Sequence, residues 1–569
     1  MVQTMALTWV AIVVLLLGIG LILPSTFKVQ CSIDISEQPN EPAAAARRLC
    51  CTGLSFVPMA RVRPTETELK LQLAPKHIGR FRRSPALSKA VCTEVDIDNV
   101  YFDTADRLLQ RHHMALRVRQ INRRWLQTLK VEGKGGGAVS CRGEWETPAR
   151  VLRGQGRLDL ARLSESPLPD LLARQKVNAV LQPVFRTRVR RTQWVIERAD
   201  ARIEVALDIG EISAKGERAA LREPICEVEL ELKRGEPAAL LDLALELLSV
   251  GDKQAPALTP VARSKAERGY QLTTQHPATA VKASAKAFVE NVTRKATTAG
   301  ALRTVVSHGL AVLTANIEML LRYDDPEYVH QSRVALRRVR SAIRLFDREH
   351  RDVPQSLADE LQWFARTLGK ARDWDVIADE TLPSLAEGIG VQAMKSLVAK
   401  ANQRRGQARQ EIRKAARSPR YAALVLSGER WCMTPVPAAA ELHADAAAPA
   451  LQRASKKLFE AARFFAALTA ARRHQVRILA KRLRYALDLF AIALPKQATT
   501  RYIDALSELQ DVLGLLNDAS VAKTVLPHLT RSARLKKAAQ AWFASIEPDR
   551  VYDVERRLLK LSTMQMPWK

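Results

Sequence analysis

The chain has 569 residues, with 89 Lys and Arg against 60 Asp and Glu, a net charge of +29. That length exceeds one hydrophobic core, so two or three domains are expected, and the charge excess asks for an anionic partner: nucleic acid, polyphosphate or a membrane surface. An aromatic content of 5% without zinc-finger, RNA-recognition or helix-turn-helix patterns argues against nucleic acid, and seven scattered cysteines without a C-x-x-C pair argue against a disulfide framework.

Residues 1–58 read as an extension. Met5 to Leu23 carries no charge and is just long enough to span a bilayer. No Lys or Arg precedes it, while Lys28, Arg47 and Arg48 follow, which would keep the remainder on the cytoplasmic side. The alternative is a translation start at Met59. Either way the body of the chain is expected in the cytoplasm.

From Glu66 the pattern has period two, the signature of strands. Glu66-Thr67-Glu68-Leu69-Lys70 places two carboxylates and an ammonium on one side, with Thr67 and Leu69 on the other. The device returns at Arg117-Val118-Arg119, Arg142-Gly143-Glu144-Trp145-Glu146, Arg188-Val189-Arg190, Glu204 to Asp208, and Glu227-Val228-Glu229-Leu230-Glu231-Leu232-Lys233. Rows carrying both signs, backed by apolar rows, suit a closed antiparallel barrel with charge inside and apolar faces outside. Helical stretches near Leu171–Val180 and Ala238–Leu248 can cover those faces. The run Lys134-Gly135-Gly136-Gly137 lacks the G-K-[ST] ending of a phosphate loop and reads as a hairpin connection.

Residues 274–284 are polar and without period, a linker. Beyond Ala285 the period becomes 3.6 to the end of the chain, an all-helical domain, with Ala- and Pro-rich Ser418–Pro449 expected as a long internal loop. This half carries a duplication over about 330–377 and 474–522. His330, Arg333, Arg337, Arg338 and Arg340 correspond to His474, Arg477, Lys481, Arg482 and Arg484 at an offset of 144, and Leu368-Gly369 corresponds to Leu513-Gly514 at 145. Two pseudo-symmetric helical bundles are expected. On a helix, His330, Arg333, Arg337, Arg340 and Arg344 fall within about 80° of one another. His474, Arg477, Lys481 and Arg484 repeat that stripe, which suits a phosphate track.

The strand motifs carry a family resemblance. E-x-E-x-K at Glu66, then Tyr101-Phe102-Asp103-Thr104, Leu116–Arg119, Leu126–Lys130, Arg142–Glu146 and Ile225–Lys233, resemble in order those of the CYTH superfamily, the triphosphate tunnel metalloenzymes, over about 59–273. The duplicated H-x-x-R-V-x-L-R-R-x-R and L-x-x-A-R-D-x-D-V motifs resemble the CHAD domain, a helical polyphosphate binder, over 285–569. The resemblance implies an inorganic triphosphatase, with Mg2+ or Mn2+ held by Glu66, Glu68, Asp208, Glu227 and Glu229. It implies phosphate contacts from Lys70, Arg117, Arg119, Lys130 and Arg188, with Lys265 a further member. Lys70, Glu66 and Glu68 are the implied catalytic groups. Tripolyphosphate and polyphosphate are the implied partners. An organic triphosphate would need an aromatic platform, and none is visible on the charged rows.

Overall fold

The computed structural model describes residues 65–569 apart from 134–137, 175–179, 217–218, 249–255, 294, 347–351, 384–390, 437–442 and 531. The apolar segment Met5–Leu23, Met59 and the glycine run at 135–137 lie outside the described residues. Among the described residues, no helix is long and apolar enough to cross a membrane.

Strands β1 (Thr65–Leu73), β2 (Cys92–Asp103), β3 (Met114–Ile121), β4 (Arg124–Glu132) and β5 (Val139–Pro148) are followed by a small hairpin, β6 (Arg150–Leu152) and β7 (Gln155–Arg157). Then come β8 (Gln182–Glu197), β9 (Arg202–Ala214), β10 (Leu221–Arg234) and β11 (Leu258–Pro260). The main sheet runs β10-β9-β8-β2-β3-β4-β5-β1, and β10 pairs back onto β1, closing an eight-stranded antiparallel barrel. The pairing aligns Lys70 with Glu229, Glu229 with Ala206, and Glu227 with Asp208. Alternation then sends Glu66, Glu68 and Lys70 inward and Leu69 and Leu71 outward, where both are fully buried.

A barrel with charge inside must cover its apolar exterior. Helix α1 (Ala238–Leu248) buries Leu240, Leu241 and Leu247 against that surface. Helix α2 (Lys265–Thr274) closes one end of the barrel. Its start is set by a capping box between Ser264 and Glu267. Gly269 lies against Phe185, and a Cβ there would come 2.2 Å from the ring, so only glycine lets the helix seat. Tyr270, Phe185, Tyr101, Ile97, Ile212 and Ile225 form the apolar stopper beneath it.

The remainder is helical: α3 (Thr298–Leu320), α4 (Pro326–Phe346), α5 (Gln355–Val376), α6 (Val391–Ala416), α7 (Pro419–Cys432), α8 (His443–Ala461), α9 (Ala470–Phe490), α10 (Lys496–Leu529) and α11 (Ala533–Thr563). The expected loop at Ser418–Pro449 is largely helix instead. Ser418 caps α7, with Pro419 in its first turn, and Tyr421, Leu424, Val425 and Trp431 are buried. Alanine is the best helix former, so an Ala-rich run is poor loop material. Pro449 sits inside α8 without ending it.

One core runs through both halves. Leu69, Val228 and Leu247 of the barrel and its covering helix share a cluster with Leu313, Leu424 and Phe490. Helix α7 packs on α1, and Arg430 donates to Asp242 at 2.7 Å. Beside this contact Glu429 is buried, receives Ser307 Oγ at 3.1 Å, and is pushed up to about 8 by burial. Its folded pKa lies above its ordinary value, so the native state holds a proton that the unfolded chain releases. The corresponding stability is present below about pH 4.5 and is lost as pH rises toward about 8. Glu429→Gln is therefore expected to denature at a temperature less dependent on pH over that window. It should be the more stable form at pH 9 by a few kcal/mol. Identical pH slopes for the two proteins in thermal scans would show that Glu429 is already ionised in the native state.

Candidate active site

The barrel encloses a cavity of about 610 Å³. Glu66, Glu68, Lys70, Arg117, Arg119, Lys130, Asp208, Glu229 and Lys265, all singled out in the sequence, line it. Glu227 is 2% exposed and joins the same network from just below the plug helix. The two sequence-distant carboxylate rows do not merge into one cluster.

Asp208, Glu227 and Glu229 form the first group, each offering an oxygen within 4.8 Å of the others. Lys265, on the first turn of α2, points its ammonium among all three. It lies 2.7 Å from Asp208 and 2.8 Å from Glu229, and it also pairs with Glu227. Arg191 binds both oxygens of Asp208 at 2.7 Å and reaches Glu229 at 2.6 Å. Burial pushes the Glu229 carboxyl up, but Lys265, Arg191 and Lys70 outweigh it and hold Glu229 well below the usual range. The same balance lowers Asp208, and the carboxylates raise Lys265 despite its burial.

Glu66 and Glu68 form the second group on β1. Glu66 pairs with Lys130, and Glu68 with Lys70 and, at 3.4 Å, with Arg142. Burial works against the ionised Glu68, yet Lys70, Lys130 and Arg142 bring it to about 2. Glu66 moves the other way: burial, reinforced by Glu68 and Glu144, exceeds the pull of Lys130. Cations are crowded opposite. Arg119 is lowered to about 10 by burial and by the nearby Arg117 and Arg191, and its Nε donates to Asn99 at 2.9 Å. A buried guanidinium losing its proton affinity to like charges marks a place where an anion would be stabilised.

Arg188 is not among these groups. On β8 the inward row is Phe185, Thr187, Val189 and Arg191, with Val189 and Arg191 in the cavity wall. Arg188 lies outside, 59% exposed, beside Asp98, and Arg190 pairs with Asp96. The run Arg186-Arg188-Arg190 imitates the inner rows because this stretch of barrel exterior meets solvent. Arg191 is the residue that the sequence reading missed. Its signal was the phase of Phe185, Thr187 and Val189, which line the barrel interior, with Phe185 and Val189 in the stopper cluster, and are not an outer face. Arg191→Ala is expected to cut turnover about tenfold or more and Arg188→Ala by less than about twofold; equal effects in steady-state assays would contradict this placement.

In the helical half the two stripes converge. Arg337 on α4 is lowered by burial and by Arg333, Arg484 and Arg477, and Arg340 falls to about 10 through burial and Arg344, Arg366 and Arg482. The duplication extends to contacts: Arg340 donates to Gln362 at 3.4 Å and Arg484 to Ser507 at 3.5 Å. His474 Nδ1 lies 2.5 Å from Asn517, while His330, partly buried, has Arg372, Arg337 and Arg333 nearby. Arg333 is 3.9 Å from Asp373. Lys481 and Arg477 are half-buried on the corresponding face of α9. Asp488, which interrupts the second stripe, pairs with Arg338 at 2.7 Å and so ties α9 to α4.

This closed barrel and duplicated helical array define a two-domain architecture that known families share. The CYTH domain model matches residues 64–287 and the CHAD domain model residues 304–527, and the chain is a CYTH–CHAD protein. An inorganic triphosphatase of Haemophilus influenzae is 32% identical over 218 residues, 38% of this chain and 56% of that protein. The chain thus spans about half the length of that relative. The CHAD domain of the plant Ricinus communis is 28% identical, covering 51% of this chain and 98% of its own, with a TM-score of 0.44. PptA from Streptomyces chartreusis is 21% identical, covering 47% and 97%, with a TM-score of 0.34.

Proposed function

We propose that the barrel hydrolyses inorganic triphosphate to pyrophosphate and phosphate in a metal-dependent reaction, and that the converged basic stripes bind polyphosphate. The observation that carries this reading is the cavity wall itself, where a carboxylate group faces a crowd of buried cations. The triphosphatase relative supports it. Asp208, Glu227 and Glu229, with Glu66 and Glu68 on the neighbouring strand β1, offer the hard oxygen donors that Mg2+ or Mn2+ prefers. A bound divalent ion would supply neutralisation of phosphate charge and orientation of the attacking water.

The chain's own residues do the rest. Arg117, Arg119, Lys130 and Arg191 hold phosphate oxygens in place, and positioning with charge neutralisation is most of what phosphoryl transfer requires. Lys70, on the inward row between Glu68 and Glu229, stabilises charge on the departing phosphate. Two aromatic rings do border the cavity, Tyr101 and Tyr270, which the sequence reading did not place there. Tyr101 is stacked on Phe185 with centroids 4.4 Å apart, and Tyr270 meets Phe185 edge-on at 5.2 Å. Phe185 takes one face of Tyr101 and Arg107 lies over the Tyr270 ring, 5.7 Å from its centroid, so both rings are already engaged, which favours an inorganic substrate over thiamine triphosphate or a nucleotide.

The test is phosphate release from tripolyphosphate, long polyphosphate, ATP and thiamine triphosphate, with and without Mg2+ or Mn2+. Tripolyphosphate should be turned over fastest and only with metal; a faster organic substrate would overturn the reading. Lys70→Ala should lower kcat by about a hundredfold while changing KM by less than about threefold, because the interaction is made with developing charge. An increase in KM at constant kcat would assign Lys70 to ground-state binding.

A further inference from the structure

The plug helix α2 is held in place by the helical half of the chain. Glu318, near the end of α3, is 3% exposed and accepts three hydrogen bonds from the two residues that precede the helix cap. The Ala262 and Arg263 amides donate to Oε2 at 2.9 and 3.2 Å, and Arg263 Nε donates to Oε1 at 2.8 Å. Four residues on, Arg322 donates to Glu223 at 2.5 Å. The same oxygen of Glu223 receives Arg268 Nε at 2.7 Å. Arg268 continues to Glu227 at 2.6 Å and to the Pro224 carbonyl at 2.9 Å. Tyr323 then accepts Gln271 Nε2 at 3.3 Å. One short segment, 318–323, therefore makes contacts before α2 and near its end, and reaches its middle through Glu223.

That segment is itself anchored in the helical half. Arg413 donates to the Leu320 and Tyr323 carbonyls and to Asp324, and Arg409 joins Asp324 at 3.1 Å. Arg409 also donates at 2.6 Å to the buried Asp375, in the repeated motif on α5. On the barrel side the chain of contacts ends at Lys265 and Glu227, within the carboxylate group. Groups that orient ligands are as decisive as the ligands, since a carboxylate rotated out of line donates nothing.

We propose that Glu318 and Arg322 are positioning residues for the barrel, so that the helical half sets the geometry of Glu227, Arg268 and Lys265 in addition to any binding of its own. This rests on the assignment of Asp208, Glu227 and Glu229 as the metal group. The barrel site is then complete only with α3 in place.

The full-length protein is used, with Arg322→Ala, Arg322→Lys and Glu318→Gln. Arg322 is 24% exposed, so its truncation leaves no buried void, whereas Glu318 is more deeply placed. Three quantities are read: Mn2+ affinity without substrate, amide hydrogen exchange over 262–274, and kcat against KM for tripolyphosphate. Arg322→Ala is expected to weaken Mn2+ binding and lower kcat about tenfold each, with KM nearly unchanged. Exchange over 262–274 should accelerate, and Arg322→Lys should recover most of the loss. Wild-type Mn2+ affinity and wild-type exchange in both Arg322→Ala and Glu318→Gln would overturn the proposal. If the wild-type protein releases no phosphate, the triphosphatase reading fails, while Mn2+ affinity and exchange still decide whether α3 positions the site.

Discussion

Glu229→Gln should abolish metal-dependent phosphate release, by at least about a hundredfold, with the fold intact. Glu229 stands where three demands meet: it faces Lys70 across the β1–β10 pairing, receives Lys265 at 2.8 Å and Arg191 at 2.6 Å, and contributes an oxygen to the carboxylate group. The amide keeps the size of the side chain but removes a hard anionic donor and leaves two buried cations less well balanced. Glu66→Gln tests the second group, on the neighbouring strand β1, where the carboxyl is already raised by burial and its neighbours. Its loss should cost turnover as well, through weaker metal and substrate binding. Mn2+ affinity measured without substrate separates the two groups: Glu229→Gln should weaken it strongly. Turnover near wild type with unchanged circular dichroism in Glu229→Gln would remove the metal assignment from this group.

The barrel was legible because its inner rows violate the ordinary strand pattern. Glu66, Glu68 and Lys70 against Leu69 and Leu71 can be phased from sequence alone, since a buried row of mixed charge has no bland use on a solvated sheet. The same logic failed at β8. There the exterior is wet, so Arg186, Arg188 and Arg190 mimic an inner row while Arg191 hides behind the uncharged Phe185, Thr187 and Val189. Period-two counting cannot tell in from out when both faces carry arginine; only the position of the plug helix does. The stopper itself was invisible for a related reason. Tyr101 and Phe185 belong to strands far apart in sequence, and their stacking is decided by the β2–β8 register that sets them opposite each other.

The helical half was legible as a repeat, and the repeat explains some of its chemistry. Gly369 leaves room for the Arg333 guanidinium, since a Cβ there would lie 2.6 Å from Nη1. The shared core was not legible, because Leu313 and Leu424 look like any buried helix residues and nothing in their spacing says that they meet the barrel side. That core changes how the two activities should be separated. Fragments cut near 274–284 would expose apolar surface on both sides, so point variants of the whole chain are the sounder tools.

For the basic face, Arg333, Arg337, Lys481 and Arg484 are to be replaced together by Gln in the full chain. Polar replacements keep these helix faces wettable, and α4 and α9 retain the Arg338–Asp488 pair that ties them together. Binding of long polyphosphate should weaken by more than about tenfold at moderate salt. The slope of log affinity against log salt should fall by roughly 0.7 to 0.9 for each phosphate that is no longer neutralised, up to about three for the four replacements. Convergence of the stripes is what makes the effect larger than that of four scattered charges. Arg337, beside Arg333, Arg484 and Arg477, and Arg340, beside Arg344, Arg366 and Arg482, already carry the electrostatic cost of like charges, and a chain of phosphates relieves it along its length. Double-stranded DNA at matched phosphate concentration is the control, because its fixed phosphate spacing cannot adapt to two converging stripes. A wild-type protein that prefers polyphosphate, and a quadruple variant that does not, would establish a shaped site. Unchanged affinity and slope in the variant would show that the two stripes are solvated helix faces.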